Sequence, residues 1–260
     1  MKQYDAVNTI VESLKKDDYV KAIFLKGSMG RGEEDQHSDV DLYVLVEEQN
    51  EQVFLENRLM HLRAYGELLF YDDIFIIAPQ IIAVYDNMLH LDLFTVTEKT
   101  FKEKDYFKVL FDPEGRLQKF DATQNLTLTY EEYRDDVMDV AWFLFQYKKS
   151  KARENDIWSI SMLHHTMTHL ARVLLHNYCP NRAQLGLKTL EATLPQSLKR
   201  NIHIILQYIT PKEHKHAEIL IQRLVANEVD WIISTLNKED QMKLYPFLSK
   251  MIIQQEPLSK

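Results

Sequence analysis

The sequence has little of several features that mark other classes of protein. Its single cysteine, Cys179, excludes an intramolecular disulfide and is typical of a reducing compartment. Only six glycines and seven prolines occur among 260 residues, which argues against a disordered chain and against a turn-rich all-β protein. No uncharged apolar run approaches the roughly 18 residues of a membrane-spanning helix, and the N-terminus lacks a signal-peptide pattern. We therefore expect a cytoplasmic protein that makes no membrane contact.

Negative charge is concentrated in the first half of the chain. Residues 1–125 hold 14 basic and 24 acidic side chains, a balance of −10, within an overall net charge of −8. Residues 126–260 hold 17 basic and 15 acidic side chains, a balance of +2. An acidic half repels nucleic-acid phosphates, so nucleic acid is not an expected partner, whereas metal ions or a small cationic substrate are.

Hydrophobic periodicity predicts strands and helices up to about residue 111 and only helices after about residue 129. In the first part we predict an N-terminal amphipathic helix, then strands over 20–25, 40–46, 68–71, 75–77, 81–85 and 89–96, with a helix over 51–63. In the second part we predict helices over 129–149, 156–177, 184–194, 198–208 and 211–236. Two of these begin with capping boxes, at Thr129 and Thr210. The pattern predicts an α/β (α+β) domain over residues 1–125, followed by an all-helical bundle over residues 126–260.

Two aspartates stand at the start of the apolar run in GSMGRGEEDQHSDVDLYVLV, residues 27–46. Residues i and i+2 of a strand share a face, so Asp39 and Asp41 project together while Val40 and Leu42 face the core. Adjacent carboxylates repel each other unless a cation neutralises them. Mg²⁺ is the expected cation, because it binds a few carboxylates together with waters and phosphate oxygens. The alternative is a solvated strand end.

The Gly-Ser pair ahead of these aspartates predicts a phosphate-binding turn. Gly27 lets a phosphate approach the backbone closely, and the Ser28 hydroxyl can donate a hydrogen bond to it. Arg31 can add a bidentate contact to a phosphate. A plain turn residue for Ser28 and a surface arginine for Arg31 are the alternatives.

A third carboxylate is expected on a neighbouring strand. In HLDLFTV, residues 90–96, one face carries His90, Asp92, Phe94 and Val96, while Leu91 and Leu93 take the other face. Asp39, Asp41 and Asp92 with a Gly-Ser turn describe a two-metal nucleotidyl-transfer site, with all three as catalytic residues and metal ligands. The alternative for Asp92 is an exposed strand position.

These motifs resemble the DNA polymerase β-type nucleotidyltransferase superfamily. KGSMGRGEEDQHSDVDLYVLV and the later LFDPEGRL are most similar to antibiotic nucleotidyltransferases of the lincosamide type, with aminoglycoside enzymes as looser relatives. The resemblance implies that Asp39 and Asp41 hold Mg²⁺ on ATP or another nucleoside triphosphate. A hydroxyl of a small, cationic, antibiotic-like acceptor then attacks the α-phosphate, and the helical half binds that acceptor.

The proton acceptor for that hydroxyl is left open by the sequence. Asp92 either completes the metal site or takes the proton. Kanamycin-type relatives use a carboxylate of the helical domain, so an acid of the group Glu131, Glu132, Asp135, Asp136 and Asp139 is the alternative. The favourable interaction of acids with a helix N-terminus is the first interpretation of that group, and a catalytic acid is the alternative. His165 and His169, spaced i, i+4, are expected to pack between helices rather than to bind a metal.

Two other functions compete with this prediction. One is a transferase of the same fold that acts on a protein or on tRNA, although the acidic first half argues against tRNA. The other is a non-catalytic, antitoxin-like module, which has no need for all three aspartates. The sequence is also compatible with a homodimer.

Overall fold

The computed structural model describes residues 1–101 and 104–252. Within it the chain separates into two compact units, Met1–Asn125 and Leu126–Lys260. The first contains a sheet flanked by helices, and the second is helical. The structure thus confirms the predicted fold class.

A mixed sheet forms the centre of the first unit. Its strands are β1 (Val20–Leu25), β2 (Val40–Val46), β3 (Leu68–Phe75), β4 (Pro79–Tyr85), β5 (His90–Val96) and β6 (Lys108–Phe111). They lie in the order β3-β4-β5-β2-β1-β6. β2 and β5 pair in parallel, and the other neighbours pair antiparallel. The parallel pair at the centre brings the starts of β2 and β5 to the same edge of the sheet.

Each face of the sheet carries its own apolar layer. On one face, Leu42 and Leu93 pack with residues of α1 (Lys2–Leu14), α3 (Glu51–Asn57) and α4 (Leu59–Arg63). On the other face, Tyr43 and Phe94 stack with ring centroids 4.3 Å apart, beneath aromatic residues that follow β5. By alternation, this second face is also the one to which Asp41 and Asp92 belong.

The first unit departs from the sequence prediction in three places. β3 is one strand, not two short ones. The predicted helix over 51–63 is divided at Arg58, whose buried side chain bonds Asp73 and Thr95 of the sheet. β6 was missed because its four residues are half-buried or exposed and carry little alternation.

The second unit consists of α5 (Tyr130–Ala152), α6 (Asp156–Tyr178), α7 (Leu187–Thr193), α8 (Gln196–Tyr208), α9 (His214–Ser234) and α10 (Lys238–Met251). α5 begins with the predicted capping box: the Thr129 hydroxyl accepts from the Glu132 N–H, and the Glu132 carboxylate accepts from the Thr129 N–H. The apolar faces of these helices form one continuous core.

Helix boundaries in this unit differ from the prediction at three points. The helix predicted from residue 184 begins after Gly186, whose backbone is not helical. The helix predicted from Pro211 begins at His214, although Thr210 Oγ1 still accepts from the Glu213 N–H. α10 was missed altogether, and it contains Pro246, a residue that normally argues against a helix interior. None of the helices in residues 1–101 and 104–252 has the length and apolarity to cross a bilayer.

Candidate active site

Three aspartates lie at the shared edge of β2 and β5. Asp41 and Asp92 are register partners across the parallel pair, and Asp39 stands immediately before β2. Asp92 is buried to 9% exposure, whereas the Asp39 side chain is about half exposed. The structure therefore brings the three predicted acids together from two separate stretches of the chain.

His90 lies between two of these acids. Its Nε2 is 3.1 Å from Asp92 Oδ1, and its Nδ1 is 3.8 Å from Asp39 Oδ2. In the part of the chain that the structure describes, no group of three or more His, Cys, Asp and Glu side chains is already arranged to hold a metal ion. His90 is thus within hydrogen-bond range of Asp92 and lies near Asp39.

The Gly-Ser turn lies directly beside Asp41. Gly27 begins the short helix α2 (Gly27–Arg31) with φ +61°, and a β-carbon at this position would stand 1.9 Å from Asp41 Oδ2. The Lys26 N–H donates to the Asp41 carbonyl at 3.0 Å, which ties the end of β1 to β2. Only glycine leaves room for this carboxylate, so the predicted phosphate-binding turn and the predicted metal ligand occupy neighbouring space.

Arg31 is held by two acids of the same unit. Its Nη1 donates to Asp105 Oδ2 at 2.6 Å and its Nε donates to Glu33 Oε2 at 2.9 Å. Burial raises the pKa of the Asp105 carboxyl, and the nearby Arg31 and Lys26 charges offset only part of that rise. The structure thus places Arg31 one helical turn from Gly27 with its guanidinium directed at protein carboxylates. Its role toward a phosphate remains a prediction.

A buried cation adds to the electrostatics of this sheet face. Lys26 is only 2% exposed, and its Nζ lies 5.5 Å from the Tyr43 ring centroid and 5.1 Å from that of Phe101. Aromatic faces stabilise such an ammonium group. Positive charge therefore reaches the face that carries the acidic side chains.

The acids and histidines of the helical unit are organised by packing. Asp136 is buried, with His169 Nδ1 2.9 Å from Oδ1 and Arg172 Nε 2.9 Å from Oδ2. His165 and His169 both stack on Phe143. Burial raises the pKa of Asp139, which lies near His169. The environment of Asp139 therefore favours proton uptake.

Sequence reasoning placed His90 on the same strand face as Asp92 but did not assign it to the site. No local sequence pattern predicts the register of β2 against β5, and this register places His90 beside Asp39.

One family model matches part of the first unit. Residues 8–85 match the family model described as polymerase beta, nucleotidyltransferase. That segment contains the Gly-Ser turn, Asp39 and Asp41, whereas His90 and Asp92 follow it. No curated protein matches the sequence significantly.

Two solved structures show weak similarity over nearly the whole chain. An aminoglycoside 6-adenyltransferase from Bacillus subtilis is 10% identical, with 96% of this chain and 98% of that chain covered and a TM-score of 0.37. A nucleotidyltransferase-like protein from Exiguobacterium sibiricum 255-15 is 13% identical, with 95% and 88% covered and a TM-score of 0.37. At these TM-scores neither similarity carries a functional argument. The sequence motif and the family match agree, because residues 8–85, which match the polymerase beta, nucleotidyltransferase model, contain Gly27, Ser28, Asp39 and Asp41.

Proposed function

We propose that the protein is an enzyme that transfers AMP from ATP to a hydroxyl group of a small cationic acceptor, with Mg²⁺ as cofactor. The observation that carries this proposal is the register of Asp41 opposite Asp92. Two strands that meet in parallel place their acids at one edge, beside a Gly-Ser turn whose glycine makes room for Asp41. A family model for nucleotidyltransferases covers the turn and the first two acids.

The chemistry of the donor set fits a hard divalent cation. Asp39, Asp41 and Asp92 offer only oxygen ligands, and carboxylates with phosphate oxygens are the usual environment of Mg²⁺. When bound, Mg²⁺ would offset the charge of the triphosphate and withdraw electron density from the reacting phosphorus. The three aspartates would hold it.

The proposed reaction is a displacement at the α-phosphorus of ATP. A bond forms between the acceptor oxygen and the α-phosphorus, the bond to the bridging oxygen of the β-phosphate breaks, and pyrophosphate leaves. The hydroxyl proton passes to a carboxylate. Asp92 is the candidate because it is buried beside the other acids.

The class of acceptor is inferred from charge. The first unit carries a balance of −10, and the acids that open α5 add further negative charge in the helical unit. Such surfaces attract amine-bearing molecules and repel polyanions. A lincosamide, with one basic amine, is the first candidate because of the sequence resemblance, and an aminoglycoside is the second.

The test uses the full chain with Mg²⁺, ATP labelled at the α-phosphate and panels of lincosamides and aminoglycosides. We expect pyrophosphate release that depends on the acceptor, and a product that gains one AMP by mass spectrometry. Asp41→Asn is the matched inactive control. Labelling of a protein or of tRNA, without product from either panel, would overturn the acceptor class. Nucleotide binding without pyrophosphate release from any acceptor would point to a non-catalytic module.

A further inference from the structure

We propose that the sheet face beside Asp92 binds an amphipathic molecule with one ammonium group, and that the carboxylate of Asp72 holds this group. The occupant is the acceptor, so the inference rests on the proposed function. It narrows the acceptor to a molecule with a single amine and a substantial apolar part, and it excludes a polyamine. We call this surface the acceptor surface, and its residues are Phe70, Asp72, Ile82 and Val84.

Strand register places the acceptor surface on the same face of the sheet as the candidate site. Asp72 pairs with Ile82 across β3 and β4, and Ile82 pairs with Asp92 across β4 and β5. Residues that lie opposite each other in neighbouring strands project to the same face, so the side chains of these three residues form one row. Two strand spacings separate Asp72 from Asp92, a distance of about 10 Å.

The apolar side chains of the acceptor surface are open to solvent. Phe70 pairs with Val84 and Val84 pairs with His90, which forms a second row on this face. Phe70 is 54% exposed, and Ile82 and Val84 are half-buried. In the part of the first unit that the structure describes, none of these three apolar residues belongs to either apolar layer of the sheet. Exposed apolar surface that borders polar groups is typical of a ligand-binding site.

Asp72 supplies the negative charge of this surface. It is exposed, and among the described residues it forms no ion pair or hydrogen bond. The neighbouring Asp73 differs, because it projects to the opposite face and accepts a hydrogen bond from Arg58. A carboxylate at the border of an apolar surface can bind an ammonium group while the rest of the same molecule covers the apolar side chains. The ring of Phe70, two residues away on the same face, can add a cation–π contact.

The balance of apolar area and charge determines the class of molecule that fits. Three apolar side chains and one carboxylate suit a molecule with one ammonium group and an apolar portion. A polyamine would place its further ammonium groups over apolar side chains, where they lose water without gaining a partner. An acceptor whose hydroxyl lies at Asp92 and whose amine reaches Asp72 spans about 10 Å between these two groups.

Isothermal titration calorimetry tests this binding without ATP, metal or turnover. The full chain is titrated with lincomycin, which has one basic amine, and with kanamycin, which has several. A salt concentration of about 0.15 M screens long-range attraction. We expect lincomycin to bind at least about tenfold more tightly than kanamycin. Phe70→Ala should weaken lincomycin binding about tenfold through lost apolar contact, and Asp72→Asn about fivefold through lost charge.

Tyr71→Ala and Asp18→Asn are the matched controls. Tyr71 is an exposed aromatic residue of the same strand that projects to the opposite face, and Asp18 is an exposed acid of the turn between α1 and β1. Both variants should bind lincomycin as the wild type does, and circular dichroism reports on folding. A wild type that does not bind lincomycin, or that binds lincomycin and kanamycin equally, would overturn the proposal. Equal losses of affinity in Phe70→Ala and Tyr71→Ala would also overturn it.

The outcomes separate this inference from the proposed function. Lincomycin binding that depends on Phe70 and Asp72, without AMP transfer to any acceptor, would support the acceptor surface and contradict the transferase activity. AMP transfer to lincomycin with the same KM in the wild type, Phe70→Ala and Asp72→Asn would overturn the acceptor surface and leave the transferase activity standing.

Discussion

Gly27 and Asp41 are in such close contact that no other residue fits at position 27. A β-carbon there would stand 1.9 Å from Asp41 Oδ2, and the backbone φ of +61° is itself unfavourable for other residues. We expect Gly27→Ala to destabilise the protein by about 2–4 kcal/mol, from backbone strain and overpacking combined. Displacement of Asp41 should also abolish nucleotidyl transfer. Urea unfolding and the AMP-transfer assay measure the two effects.

Gly32→Ala provides the comparison that isolates the contact. Gly32 has a similar φ of +70°, but a β-carbon there meets nothing within 4 Å among the described residues. This variant should lose only about 1–2 kcal/mol through backbone strain and should retain activity. Equal losses of activity in both variants would show that the contact with Asp41 is unimportant.

Removal of one carboxylate charge should stop the reaction and leave the fold intact. We expect Asp39→Asn, Asp41→Asn and Asp92→Asn each to lower the rate of AMP transfer at least about 100-fold, because each removes a proposed metal ligand without changing side-chain size. Asp86→Asn, in the exposed turn between β4 and β5, is the control. Wild-type rates in any of the three variants would remove that residue from the site.

Nucleotide and metal should stabilise the protein only together. Clustered acids repel a triphosphate unless a cation lies between them, so ATP with Mg²⁺ should raise the melting temperature. At a ligand concentration 100 times the Kd the gain is about 2.7 kcal/mol. ATP with EDTA should have a much smaller effect. Equal shifts under both conditions would contradict a triphosphate bridged to the acids by a cation.

Acid should destabilise the helical unit through His176. Burial lowers the pKa of His176, and within residues 1–101 and 104–252 its buried Nδ1 has no hydrogen-bond partner. The unfolded chain takes up a proton on His176 near pH 6.5, whereas the folded chain takes it up only at lower pH. The free energy of unfolding should therefore decrease as the pH falls below about 6.5.

The urea midpoint measured at pH 7.5 and pH 5.5 tests this expectation. His176→Phe keeps a ring against Tyr133 but cannot take up a proton, so its midpoint should fall less on acidification than that of the wild type. The same substitution at His164, an exposed position of α6, should leave the pH dependence unchanged. Identical pH dependence in wild type and His176→Phe would exclude His176 as its source.

The capping box of α5 gives a prediction for stability alone. Thr129→Ala removes the hydroxyl that accepts from the Glu132 N–H and should cost about 1 kcal/mol. Thr129→Ser retains a hydroxyl and should cost only a few tenths of that amount. Urea unfolding followed by circular dichroism distinguishes the two, and an equal loss in both would show that the hydroxyl does not act as the cap.

The sequence predicted those parts of the fold that local patterns determine. β1 and β2 begin and end as predicted because continuous apolar runs between polar turns define them, and the Thr129 capping box is a four-residue signal. Arg58 was not predictable, because its buried side chain depends on Asp73 and Thr95, which only the folded sheet brings near. α10 was missed because Pro246 disfavours a helix locally and tertiary packing prevails.

The same distinction holds for the candidate site. Asp39, Asp41 and Asp92 were predicted from alternation and from a motif, both of which are local. The position of His90 beside Asp39 depends on how β5 is aligned with β2, and no local pattern specifies that alignment. The pairing of Arg31 with Asp105 was likewise missed, because Asp105 lies in an irregular stretch without periodicity.

The parallel pairing of β2 with β5 also determines when the site can form during folding. Two helices and the β3–β4 hairpin lie between the two strands in the sequence, so Asp41 meets Asp92 only after a long loop has closed. Loop closure of this kind costs entropy and slows folding. A nascent or partly folded chain, with β1 and β2 formed but β5 undocked, has two of the three acids. The three aspartates therefore come together only once the sheet is complete, so an incompletely folded molecule lacks the proposed cation site.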